Sequence, residues 1–231
     1  MEHKATHFAA KLKELTELVL RQGGLVEEAI GKSVHALVDR DSASAGEVLE
    51  NDEVIDSLEL EIDHLCLELL LLQQPMARDL RFITTAMKIN SDLERIGDHA
   101  VNISERALEL NEEPPLPTFI DLPLMASRAQ AMVRNALDAF VRRDDDLAVQ
   151  TILKDRELNH QMTENFSRLT DHARNRPEDI AQALRLSFVT KYFERIGDMS
   201  KNICEQVVFM TKGEIIKHQH ITRGNEDGDG S

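Results

Sequence analysis

Apolar residues recur along this chain at spacings of three and four, the period of a helix with one buried face. Ile55, Leu58, Ile62, Leu65 and Leu69 form one such stripe; Leu93, Ile96, Ala100 and Ile103 form another; Phe193, Ile196, Ser200 and Ile203 form a third. The pattern predicts six helices, from about Thr6 to Val38, Ser44 to Gln73, Ala77 to Leu110, Leu122 to Arg142, Asp145 to Ala173 and Glu178 to Thr211. Pro75 stops the second helix, and Gly23-Gly24 is expected to bend the first. Pro114, Pro115 and Pro117 cannot continue a helix, so the stretch Asn111 to Thr118 reads as a linker near the middle of the chain. Short polar breaks, Asp39 to Ser42 and Arg143-Asp144, imply antiparallel neighbours.

The two sides of the linker are alike in sequence. Ala36-Leu-Val-Asp-Arg-Asp41 resembles Ala139-Phe-Val-Arg-Arg-Asp144 at an offset of 103 residues. Residues 93–105 (LERIGDHAVNISE) match 193–205 (FERIGDMSKNICE) at 8 of 13 positions, an offset of 100. A tandem duplication is the reading: an all-α chain of two pseudo-symmetric three-helix bundles, residues 1–113 and 114–215, followed by a disordered polar tail, 216–231.

On a wheel of ~100° per residue, the repeated segment separates its residues by face. Ile96 and Ile196 belong to the apolar stripes. Glu94, Asp98, Asn102 and Glu105 fall opposite, and Glu194, Asp198, Asn202 and Glu205 repeat them, so both rows are expected on an outer surface. Packing alone gives no reason for two features. Carboxylates at i,i+4 repel one another, and Gly97 and Gly197 sit inside helices, where glycine costs about 1 kcal/mol relative to alanine. A cation between the carboxylates would relieve the first; close approach of a backbone or ligand would use the second. The second helix offers a facing row, Asp52, Asp56, Glu59 and Asp63. Its counterpart begins Asp155, Asn159 and continues with Met162 and Phe166, poorer in ligands. Oxygen-only donors suit hard or borderline ions such as iron, manganese, magnesium or calcium. Solvated charge on a helix face is the plain alternative.

Other constellations carry less. The Glu61/His64 and Glu157/His160 pairs have the i,i+3 spacing of di-iron bundles, but their registers do not correspond and they point away from the apolar stripes. His99 is matched by Met199, which excludes a duplicated role. His218 and His220 fall in the tail, and Asp79 and Asp179 read as helix N-terminal residues. Cys66 and Cys204 lie in different halves without metal-ligand spacing. No phosphate loop, nucleophile elbow or zinc-protease motif occurs.

Composition narrows the partners. The chain has 27 Lys+Arg against 42 Asp+Glu, a net charge of -15, which disfavours nucleic acid and anionic membrane. The most apolar run, Leu65 to Leu72, is far too short to cross a bilayer, and no signal-peptide core is apparent, so a reducing cytoplasm is expected.

The chain resembles the PhoU family of phosphate-signalling regulators over about residues 8–215. The resemblance rests on Gly23-Gly24-Leu-Val-Glu-Glu, the Asp52 to Asp56 stretch, Gln74-Pro75 followed by Asp79-Leu80-Arg81, and the two Glu-Arg-Ile-Gly-Asp segments with Asn102 and Asn202. It implies two three-helix bundles with metal-binding surface carboxylates. By position these are Asp52, Asp56, Glu94 and Asp98 in the first half, and Asp155, Asn159, Glu194 and Asp198 in the second, where Asn159 departs from the acidic pattern. The implied ions are iron, zinc, manganese or magnesium. The implied function is negative regulation of phosphate uptake and of the phosphate-starvation response, without catalysis, through the ATPase of a phosphate ABC transporter and a sensor histidine kinase, in a protein often dimeric. A carboxylate-bridged metalloenzyme and an inert helical scaffold are the alternatives.

Overall fold

The computed structural model describes residues 2–73, 75–116 and 120–216. Among them are six α-helices: α1 Glu2–Val38, α2 Ser42–Gln73, α3 Ala77–Asn111, α4 Leu122–Arg142, α5 Asp145–Asn175 and α6 Ile180–Lys212. A 3-10 turn, Pro177–Asp179, leads into α6, where the sequence pattern predicts α-helix from Glu178. Most of the expected tail, 217–231, and the linker residues 117–119 lie outside the described residues.

Local chemistry sets the ends. Asp121 and Asp144 cap α4 and α5, each carboxylate accepting from a backbone N–H three residues on, Leu124 and Leu147, at 2.9 Å. Gly213 closes α6 in the left-handed region at φ 75°. Asp79 stands in the first turn of α3, as expected. Asp179 makes no side-chain cap; its carboxylate lies 2.8 Å from His172 Nε2 instead. The turns after α1 and α4 repeat one another down to backbone conformation. Arg40 (φ 57°) and Arg143 (φ 54°), matched across the duplication, both take the left-handed region.

Each half packs its three helices together, α1–α2–α3 and α4–α5–α6. The halves then join along α1–α4 and α3–α6. In α3–α6, Arg81 reaches Met210 O, Lys88 reaches Gln206, and Arg185 reaches Glu109 and Glu113. Partner numbers fall as α3 numbers rise, so the two helices run antiparallel. A single buried apolar cluster extends from Leu15 through Ile96 and Phe140 to Met210, crossing both halves.

The Gly23-Gly24 pair, where the sequence pattern predicts a bend, makes a close contact between helices. It lies within one continuous helix, α1. A Cβ on Gly23 would sit 2.4 Å from Leu137 Cδ1 of α4, so Gly23 admits a neighbouring helix at the junction of the halves. Among the described residues no helix is long and apolar enough to cross a membrane.

Candidate functional site

The repeated segment occupies the middle of α3 and of α6. Ile96, Ala100 and Ile103 are fully buried, as are Phe193, Ile196 and Ser200. The glycines serve close packing by side chains, not by backbone. A Cβ on Gly97 would lie 3.3 Å from Ile55 Cδ1 of α2, and one on Gly197 would lie 2.5 Å from Leu158 Cδ2 of α5. Ile55 and Leu158 are themselves matched across the duplication. These contacts bring α2 against α3 and α5 against α6, and with them the carboxylate rows.

In the first half, Asp52, Asp56 and Glu59 of α2 converge on Glu94 and Asp98 of α3. Burial first, then the neighbouring Asp98, Glu59, Asp56 and Asp52, push the Glu94 carboxyl up to about 7. Burial is also the main cause for Asp52, raised further by Asp56 and Asp98. It leads likewise for Glu59, with Asp63, Asp56 and Asp98 adding to it. Asp98 rises through burial and Asp56, with Arg95 opposing. Among the described residues no basic side chain forms a salt bridge with any of these five carboxylates; Arg95 pairs with Asp92 instead. Asn102 turns its amide N–H onto Asp98 O at 2.7 Å.

The second half is built from the same positions but brings two lysines to its carboxylates. Asp155 is buried (4% exposed), with Lys201 Nζ 3.5 Å and Asn159 Nδ2 3.1 Å from its Oδ2. Its Oδ1 is buried without a hydrogen-bond partner. Lys191 Nζ stands 2.7 Å from Glu194 Oε2. Burial, Glu194 and Asp155 raise the Asp198 carboxyl, while Lys201 and Lys191 lower it. Neither lysine has a counterpart in the first half, where Ser91 and Val101 stand. The expected metal ligands Asp155, Asn159, Glu194 and Asp198 therefore come together around internal cations. Asn202, half-buried, follows them one turn on.

The expectation that these rows form an outer surface holds for Asp98, which is exposed, and is corrected for the members that other helices cover. Glu94 is half-buried, and Glu194 and Glu205 are buried at 8% exposure each. A two-faced wheel treats a helix as packed on one side only. Each of α3 and α6 contacts three other helices, so the face opposite the core stripe is also partly covered. Among the described residues no group of three or more His, Cys, Asp or Glu side chains has the arrangement of a metal site.

Lys191 and Lys201 were not singled out by sequence reasoning, although for Lys201 the signal was present: it breaks the identity of the repeat with a positive charge, and Lys191 stands two residues before the segment. His99 also acquires a role in packing. Its ring stacks on Tyr192 of α6, centroids 5.7 Å apart, and neither ring nitrogen has a hydrogen-bond partner. Burial, with Arg195 and Arg95, lowers its pKa to about 4, so it stays neutral. Glu61, His64, Glu157 and His160 are all exposed, away from the carboxylate rows.

The chain is similar throughout to proteins already known. A family model described as PhoU domain matches it twice, at residues 19–107 and 122–207. It is 40% identical over 219 residues to the phosphate-specific transport system accessory protein PhoU homolog of Aquifex aeolicus, covering 94% of this chain and 98% of that one. The fold is similar to the crystal structure of PhoU from Pseudomonas aeruginosa, with a TM-score of 0.87 and 36% identity over 90% of this chain and all of the other. It is likewise similar to the phosphate transport system regulatory protein PhoU from Streptococcus pneumoniae, with a TM-score of 0.85 and 29% identity over 90% of this chain and 98% of that one.

Proposed function

The chain belongs to the PhoU family, and from that premise we propose that it is a cytoplasmic negative regulator of phosphate uptake and of the phosphate-starvation response. It acts as an adaptor between the ATPase of a phosphate ABC transporter and a sensor histidine kinase, and it works as a homodimer. The observation that carries the reading is the full-length match of both halves to accessory and regulatory proteins of phosphate transport. The family is one of regulators, not of enzymes, which removes the metalloenzyme alternative. A net charge of -15 favours protein partners over nucleic acid or anionic lipid.

Metal belongs to the same proposal. The first-half cluster suits a cation: its donors are all hard oxygens, and they repel one another with Arg95 opposing only in part and, among the described residues, no salt bridge to any of them. Asp52, Asp56, Glu94 and Asp98 would hold an iron, zinc, manganese or magnesium ion, with the Asn102 amide at the end of the row. A bound ion would supply the positive charge that offsets their repulsion. In the second half Asp155, Asn159, Glu194, Asp198 and Asn202 offer a poorer set, because an ion there competes with Lys191 and Lys201.

Deleting the gene in its host tests the regulatory reading. Phosphate-scavenging genes are expected to be expressed at high phosphate in the deletion strain and silent in the parent. Unchanged expression together with unchanged phosphate uptake refutes it and leaves the inert scaffold.

A further inference from the structure

Helix α2 lays Ile55, Leu58, Ile62, Leu65 and Leu69 into the core, all buried. Directly opposite, Leu60, His64, Leu67 and Leu71 fall within a sector of about 60° at spacings of four, three and four. Leu60 is 69% exposed, Leu67 49% and Leu71 76%. From Leu60 to Leu71 the row runs about 16 Å along the helix. Single exposed leucines are ordinary, whereas apolar side chains gathered on one exposed face are what an interaction surface is built from.

The duplication supplies an internal control. At the matched positions of α5 stand Thr163, Ser167, Thr170 and Arg174, all exposed. Four inner positions of α2, Ile55, Leu58, Ile62 and Cys66, match Leu158, Gln161, Asn165 and Leu169, all buried, while Leu65 and Leu69 match exposed Arg168 and half-buried His172. One helix of the pair thus folds with a polar outer face, so the leucines answer no demand of the fold.

Charge identifies the occupant. Asp56 and Asp63 flank the row on one side, and Glu50, Glu61 and Glu68 on the other. Helix α2 has no Lys or Arg; Lys11 of α1 reaches it at Glu68, at 3.2 Å, and Lys32 at Glu47, at 2.8 Å, outside the flanks of the row. A second α2 laid against this face would set acid against acid, and an anionic bilayer would be repelled in the same way.

We propose that the outer face of α2 docks an amphipathic helix of a partner protein, one with apolar residues at i, i+4, i+7 and i+11 and with Lys or Arg on both flanks. The proposal deepens the adaptor reading by placing its partner surface, and it does not depend on metal.

A labelled helical peptide with leucines at that spacing and lysines on both flanks is the probe, titrated by fluorescence anisotropy. It is expected to bind the native protein saturably and to weaken with added salt. It should bind at least about tenfold more weakly to the Leu60→Gln/Leu67→Gln/Leu71→Gln variant, and measurably more weakly to Glu50→Gln/Glu61→Gln, which keeps the leucines. The same peptide with glutamates for lysines should not bind. Equal binding to native protein and both variants, equal binding of the two peptides, or no binding to native protein overturns the proposal. So does a triple-glutamine variant with a lowered melting temperature, which would make the leucines structural. So does sedimentation equilibrium showing a dimer that the same variant dissolves, which would make a second copy the occupant. Peptide binding with an unaltered phosphate response in the deletion strain keeps the docking face and removes the adaptor reading; the reverse outcome removes the docking face alone.

Discussion

Alanine placed separately at Gly97 and Gly197 is predicted to move stability in opposite directions, although the two glycines are the same position of one repeat. The backbone contribution is common: replacing glycine inside a helix gains about 1 kcal/mol. The surroundings differ. A Cβ on Gly97 meets Ile55 Cδ1 at 3.3 Å, beside a cavity of about 110 Å³ lined by Ile55, Gly97, Asp52 and Val101. The Ile55 methyl has room to yield, so most of the backbone gain survives, about 0.5–1 kcal/mol of stabilisation. A Cβ on Gly197 meets Leu158 Cδ2 at 2.5 Å, with Met132 Sδ and Asp155 Oδ1 both at 3.6 Å. Leu158 is fully buried, and its methyl can move only by displacing other core atoms. Overpacking of that kind costs about 1–3 kcal/mol, which leaves a net loss of about 1 kcal/mol after the helix gain. Urea unfolding of the three proteins, in one buffer with chelator, should order them Gly97→Ala, native, Gly197→Ala, with the variants about 1–2 kcal/mol apart. Equal effects, or a more stable Gly197→Ala, would refute the inference that α5 and α6 are the more tightly closed pair.

The internal cation of the second half can be removed. Lys201→Met should cost about 1–2 kcal/mol, because Asp155 is then buried without its ion partner while the lysine it loses is partly solvated; adding Asp155→Asn should recover most of the loss in a double-mutant cycle, and additive effects would rule out the pairing. The first-half cluster should bind manganese in equilibrium dialysis and gain melting temperature from it; Asp52→Asn/Asp98→Asn should melt higher than the native protein in chelator, yet lose the metal-dependent shift. Identical metal-dependent shifts in the two proteins would move the ion elsewhere. Cys66 and Cys204 are buried and their thiols are pushed up to about 12, chiefly by burial. Ellman's reagent should therefore titrate neither in the native protein at pH 8 and both in guanidinium; rapid reaction in buffer would contradict the burial.

What lies along one helix was legible in the sequence. Apolar spacing marks a helix by its own period, so α1 to α6 could be read locally, and α4 was placed from Leu122 to Arg142. The proline cluster and the repeated Glu-Arg-Ile-Gly-Asp segment disclosed the duplication, and the carboxylates of α2 and α3 could be assigned to facing rows. What depends on a third helix was not legible. Glu194 and Glu205 look solvent-facing on a wheel, yet they are buried, because a wheel has no neighbours on its far side. Gly23 gives no sign in the sequence of its contact with Leu137, more than a hundred positions along the chain. Lys201 looks like a surface lysine until α5 brings Asp155 beneath it. The sequence by itself determined the helices, their duplication and the identity of the carboxylates, because helical periodicity and chain order are local properties. Only the tertiary structure decided that the carboxylates of one copy of the repeat are left without a salt bridge among the described residues while those of the other meet Lys191 and Lys201, because charge balance is set by distance in space.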